Sequence, residues 1–198
     1  MGQATSNTPP IGRGEFNPLP SGVSTTDEFG VDILGSEWEF DDLDWTNATP
    51  GPKPVRTGQK VRVRLVRNDS NAAILPCQCV AISPTNPGSA TALSSSVSLE
   101  AYPADEFLPA AGVPVSGLFW VVVRGTAKMI WAATVTANVT AGDFINPSAV
   151  TNGAIDIVNT FTANKALFEA IKGARFKATV DGVAATIQGT KALLEVFP

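Results

Sequence analysis

Apolar and basic residues alternate through Lys60-Val61-Arg62-Val63-Arg64-Leu65, a period of two that predicts a half-buried strand with a basic outer face. Residues 72 to 83 (AAILPCQCVAIS) predict a second strand, with Pro76 marking an edge or a bulge, and Ser94 to Glu100 a third. Gly117-Leu-Phe-Trp-Val-Val-Val-Arg124 does not alternate. It is apolar on both sides and bounded by Gly117 and Gly125, which predicts a strand buried on both faces and the centre of the core. Arg124-Gly125-Thr126 reads as a turn, and Lys128 to Val135 as the next strand. Phe144-Ile145, Ala154 to Val158, Phe176 to Val180 and Ala192 to Phe197 continue the series. Ala163 to Lys172 alone has a helical period, with Leu167, Phe168 and Ile171 on one face, Thr162 or Asn164 as N-cap and Gly173 as stop. Many short strands with one helix predict a mainly β protein, a β-sandwich or partly closed β-barrel with one short α-helix.

The first 54 residues break this pattern. They hold seven prolines and, up to residue 50, nine acids against the single base Arg13, a net of −8. Residues 51 to 68 then carry six bases and no acid. Proline and like charge oppose a compact core, so the reading is a long extended acidic N-terminal arm over 1–54 and a β-rich domain over 55–198. Within the arm, Glu37-Trp38-Glu39-Phe40-Asp41-Asp42-Leu43-Asp44-Trp45 alternates acids with large apolar groups. A solvated linker has no need of two tryptophans. In an extended chain Trp38 and Phe40 share one side, so the segment is expected to lie on a surface as a cross-chain strap. Trp38, Phe40 and Trp45 would be its anchors, and Lys60, Arg62 and Arg64 an electrostatic counterpart. The alternative is that it folds back on its own basic strand.

Composition removes most catalytic options. The chain of 198 residues contains no histidine, which excludes Ser-His-Asp and Cys-His catalysis and histidine metal sites. Its net charge of −4 gives the whole surface no positive field for nucleic acid. Cys77 and Cys79 are the only thiols, too few for a disulfide framework or a four-thiolate zinc site within one chain, and read as two reduced cysteines in a strand. The opening MGQATSNTPPIGRG has no apolar core of a secretory signal, and Leu118 to Val123 is far too short to span a bilayer. The expectation is a soluble protein made in a reducing cytoplasm, with no membrane partner. Met1-Gly2-Gln3-Ala4-Thr5-Ser6 fits the N-myristoylation pattern, although small polar residues are common at any terminus.

The remaining chemistry is sparse. No phosphate loop is present, because Gly12-Arg-Gly14 follows no strand. Asp41-Asp42-x-Asp44 lacks the glycine and distal glutamate of a calcium loop and reads as solvated charge. The adjacent carboxylates Asp105 and Glu106 point apart in extended chain, which disfavours a glycosidase pair. A Ser-Lys hydrolase using Ser94, Ser95 or Ser96 with Lys128 is the one nucleophilic option left, and no spacing supports it. The Asn-x-Ser/Thr sites at Asn47, Asn68 and Asn138 have no meaning without a secretory route. No catalytic residue, cofactor or metal is expected; the reading is a non-enzyme made for contact.

Pro103-Ala-Asp-Glu-Phe-Leu-Pro109, Gly117 to Thr126, Val139-Thr-Ala-Gly-Asp-Phe-Ile145 and Asn152-Gly-Ala-Ile155, with a last strand at the C-terminus, resemble the capsid decoration (cement) proteins of tailed bacteriophages. The resemblance covers roughly residues 103 to 198. It implies a small β-rich protein on the outside of an icosahedral capsid, often trimeric, that locks neighbouring major capsid subunits. Major capsid protein and further copies of the chain would be its partners, the virion exterior its location. The 54-residue arm departs from the minimal pattern. The rival expectation is a tail or head-fibre module binding surface glycans, which would need exposed aromatics in a polar groove, whereas Trp120 and Trp131 lie in apolar strands and read as core.

Overall fold

The structure is a computed structural model, and it describes residues 17–18, 33–43, 55–93, 100–133, 135, 137–148, 151–157, 175–179 and 182–197. The expected helix over 163–172, Ser94 to Ser96 and Trp45 lie outside the described residues.

Among the described residues the protein is mainly β, one curled open sheet forming a half-barrel, with one short helix. Its strands are β1 (Asn17–Pro18), β2 (Glu37–Leu43), β3 (Val55–Asn68), β4 (Cys79–Ser83), β5 (Asn86–Leu93) and β6 (Glu100–Pro103), followed by β7 (Gly117–Ile130), β8 (Phe144–Pro147), β9 (Ile155–Ile157), β10 (Arg175–Ala178) and β11 (Lys191–Phe197). The four-residue helix α1 (Ala184–Ile187) precedes β11. Strand order is β6-β4-β5-β3-β7-β11-β10-β8-β9, with β1 on β7 and β2 on β3 off this path. Both margins curl back toward the middle: Ala104, just past β6, bridges Val121, and Ile155 in β9 bridges Trp131.

The alternating strand is β3, where Val61, Val63 and Leu65 are fully buried and Lys60 and Arg62 exposed. The doubly apolar strand is β7. Its neighbours Phe119 and Trp120 point to opposite faces and both are wholly buried, so the sheet is covered on each side there. Trp131 is 3% exposed, core as expected.

One expected turn is not a turn. The chain runs straight through Arg124-Gly125-Thr126, so β7 is 14 residues long and changes partner on the way. Leu118 to Arg124 pair with β3, and Gly125 to Ile130 with β11. Gly125 has φ +110, and a Cβ there would stand 3.1 Å from the Val61 Cα and 3.2 Å from the Lys60 carbonyl oxygen. Glycine is therefore required for a bend inside a strand, a role that looks like a turn in sequence.

The span from 72 to 83 is also only partly strand. Ile74 makes an isolated bridge, Cys77 turns the chain at φ 68, and pairing begins at Cys79. Farther on, Gly142 at φ +100 forms the turn before β8, closed by the Asp143 amide on the Thr140 carbonyl at 2.9 Å. The β8–β9 hairpin turns at Asn152-Gly153, with Gly153 at φ +76.

Candidate protein-interaction site

The acidic strand β2 lies antiparallel on the basic strand β3, and the register sets opposite charges face to face: Glu37 against Arg64, Glu39 against Arg62, Asp41 against Lys60. Side chains complete the pairing. Arg62 Nη2 donates to Glu39 Oε1 at 3.2 Å and Arg64 Nη2 to Glu37 Oε1 at 2.9 Å. Cross-strand opposite charges contribute roughly 0.2–1 kcal/mol each, enough to fix register and too little to hold the strand.

The holding force is apolar. Trp38 and Phe40 are half-buried and pack against the core cluster. The Phe40 ring meets Trp120 edge-on, centroids 5.7 Å apart at 68°. Upstream, the Gly35 amide donates to the Leu65 carbonyl at 2.8 Å and the Leu65 amide to Ser36 at 2.9 Å, carrying the ladder past β2. The structure thus places Trp38 and Phe40 on their own chain's core, where the sequence led us to expect a cross-chain strap. The sheet takes in residues 33–43, on the arm side of the expected boundary at 54. The physical reason is local: the complementary charges sit on strands close in sequence, and Trp120 offers an aromatic face beside β3.

Arg64 is the clasp of this arrangement. Its Nη1 donates to Glu100 Oε1 at 3.0 Å, the Tyr102 hydroxyl donates to the same oxygen at 2.6 Å, and its guanidinium stands 5.0 Å over the Tyr102 ring. One side chain joins β2, β3 and the β6 margin. Burial works against the charge of Arg64, but Glu37, Tyr102 and Glu100 outweigh it and raise its pKa overall. Burial, reinforced by Glu100 and opposed by Arg64, pushes the Tyr102 hydroxyl up.

The catalytic candidates are engaged elsewhere. Glu106, nearly buried, pairs with Lys128 at 3.3 Å, and buried Asp105 caps a turn by accepting from the Phe107 amide at 3.3 Å. Cys77 and Cys79 form no disulfide and are buried. Burial pushes the Cys77 thiol up to about 11 against the opposing pull of Lys191. Asn68 is wholly buried, donating to the Ala72 and Val113 carbonyls at 2.9 Å each and accepting from Ser70, so it is a loop anchor with no room for a glycan. Among the described residues no His, Cys, Asp or Glu cluster could hold a metal, and no helix is long and apolar enough to cross a membrane. A shallow cavity of about 190 Å³ lies between β10, β11 and α1, lined by Trp131, Val139, Ile187 and Leu194, with Lys191 its one charged described residue.

A feature missed in the sequence is a pair of apolar loops. Ile74 and Val113 bridge the loops 71–76 and 109–116, presenting Leu75 (39% exposed) and Val115 (52% exposed) outward. The available signal was the absence of any charged residue from 70 to 99 and from 107 to 123. No protein-family model matches the chain, and no curated protein does.

Proposed function

We propose that the chain is a structural virion protein that binds the outer surface of an icosahedral phage capsid and cements neighbouring major capsid subunits. It acts without catalysis or cofactor and assembles with its own copies. The observation that carries this reading is how the surface is divided. The charged side chains described at the site fasten the protein to itself: Arg64 to Glu37 and Glu100, Arg62 to Glu39, Lys128 to Glu106. Of the three large apolar side chains exposed among the described residues, Leu75 and Val115 lie on one uncharged pair of loops, and Val183 lies beside α1. A surface of that kind suits contact, since apolar area outside the core is otherwise a liability.

The choice of a capsid as partner rests on the resemblance over residues 103 to 198. The residues that carry it form a buried strand, an Ala-Gly-Asp turn, an Asn-Gly hairpin and a last strand. The glycan-binding alternative draws less support, because Trp120 and Trp131 are buried and offer no stacking platform.

The test compares phage particles assembled with and without the chain. Heads lacking it are expected to release their DNA at lower temperature, with adsorption to cells unchanged. Heads of equal stability that adsorb poorly would point to the fibre reading instead.

A further inference from the structure

The hairpin between β8 and β9 turns on Thr151-Asn152-Gly153-Ala154, closed by the Ala154 amide on the Thr151 carbonyl at 3.1 Å. Gly153 stands at φ +76 and Asn152 is not among the residues with positive φ, the pattern of a type II turn. The tip is stitched to the sheet. The Ser148 amide donates to the Ala154 carbonyl at 2.8 Å, the Thr151 amide to Ser148 Oγ at 3.1 Å, and the Cys79 amide, at the buried head of β4, to the Gly153 carbonyl at 2.8 Å. Asn152 itself is exposed, and among the described residues neither its side chain nor the Gly153 amide has a hydrogen-bond partner. The other asparagines of the described segments differ. Asn17, Asn86 and Asn146 precede proline, which has no N–H. The amides after Asn68, Asn71 and Asn138 are committed: Asp69 donates to the Ala90 carbonyl at 2.9 Å, Ala72 to Ser70 Oγ at 3.4 Å and Val139 to the Gly182 carbonyl at 2.8 Å.

We propose that Asn152-Gly153 is a self-modification site, at which the folded chain converts asparagine to isoaspartate without an enzyme. The chemistry needs no partner and stands independently of the shell reading. Solvent hydroxide takes the proton of the Gly153 amide, and the nitrogen attacks Asn152 Cγ. A C–N bond forms, the side-chain nitrogen leaves as ammonia, and a cyclic succinimide closes. Water then opens the ring at either carbonyl, giving aspartate where the new C–N bond breaks and isoaspartate where the original peptide bond does. No electrons are transferred, and water is the only co-reactant. Attacker and target are neighbours in one chain, so the closure is intramolecular. Glycine has no Cβ to obstruct it, whereas an amide already committed to an acceptor must first give up that bond. The consequence follows from the packing of the tip. Isoaspartate routes the main chain through the Cβ of residue 152 and lengthens the turn by a methylene. Gly153 has no slack to absorb it, since a Cβ there would stand 3.2 Å from Leu93 Cδ1 in β5 and 3.5 Å from Gln78 Cβ just before β4. The added methylene draws the Gly153 carbonyl off the Cys79 amide, and the head of β4 loses its anchor.

The test ages the full natural chain in mildly alkaline buffer. Peptide mapping by mass spectrometry follows each asparagine, chromatography separates aspartate from isoaspartate, and hydrogen exchange reads the Cys79 amide. Asn152 should be lost first, and faster as pH rises, with isoaspartate among its products, while Asn71 and Asn138 persist. Protection of the Cys79 amide should be lost in step with the isoaspartyl fraction. Asn152→Asp, measured fresh, adds the same charge on an unaltered main chain and should keep that protection. Asn152→Gln should abolish both the product and the loss of protection on ageing. Asn152 that converts no faster than Asn71 and Asn138, or that yields aspartate alone, overturns the proposal. So do an isoaspartyl chain that keeps the Cys79 amide protected and a fresh Asn152→Asp chain that does not, because the inserted methylene would then not be what frees β4.

Discussion

Phe40→Ala separates the two ways in which the acidic segment can be held. A phenylalanine ring buries about 150–250 Å² when fully enclosed; Phe40 is half-buried, so roughly 100 Å² at ~25 cal/mol per Å² gives about 2.5 kcal/mol. The edge-on contact with Trp120 adds ~0.5–1.5 kcal/mol. The loss is therefore about 3–4 kcal/mol. For a chain of this length each kcal/mol lowers the melting temperature by roughly 2–4 °C, so calorimetry should show a fall on the order of 6–16 °C. Glu39→Gln removes only an exposed ion pair and should cost less than ~1 kcal/mol, vanishing in high salt. The ordering is the point, apolar anchor far above charge. If Phe40→Ala melts with the natural chain and instead loses self-association or shell binding, the segment docks on a neighbouring chain and the intramolecular account fails.

Three further perturbations follow from single residues. Gly125→Ala places a Cβ against the Val61 and Lys60 backbone at φ +110 and should cost about 1–3 kcal/mol in urea unfolding; a neutral variant would mean that β7 does not bend there. Asn68→Ala removes one donor each from the Val113 and Ala72 carbonyls, which keep the Ile74 amide and the Ser70 hydroxyl, at a cost of about 1–3 kcal/mol, and should open loops 71–76 and 109–116 to hydrogen exchange before the rest of the sheet. Cys77, whose thiol pKa is raised from 9.0 to about 11, keeps its proton in the folded chain after the unfolded chain has lost it. Stability from this group is therefore full well below pH 9 and declines as pH rises through 9 toward 11, by roughly 2–3 kcal/mol. Cys77→Ala should flatten that decline, and an unchanged slope would show that the thiol is not the group responsible.

How much of this was readable in the sequence depended on whether a residue's role leaves a local mark. The alternation at Val61, Val63 and Leu65 and the two-sided apolar run at Phe119 and Trp120 report burial directly, and both strands lie where the pattern puts them. Gly125 does not report its role, because a turn and an in-strand bend both ask for positive φ. β5 (NPGSATAL) escaped because small and polar residues give no alternation; its place is fixed by pairing with β4 and a short parallel contact with β3. α1 is four residues long, too short to show a helical period. At the site, charge patterning pointed to Lys60, Arg62 and Arg64 as the counterpart of the acidic segment, and the structure sets Glu37 against Arg64 and Glu39 against Arg62, but charge alone does not say whether such partners belong to one chain. In the structure Trp120 gives Phe40 an aromatic surface within the same molecule. The loop pair was overlooked because it is marked by what is missing, a run without charge.

The claim that this is a shell-binding contact protein is tested most directly by electron microscopy of purified phage particles with a gold-labelled antibody raised against the chain. The account predicts label distributed over the outer surface of the head and none on the tail. Label confined to tail fibres, or particles free of label, would contradict it.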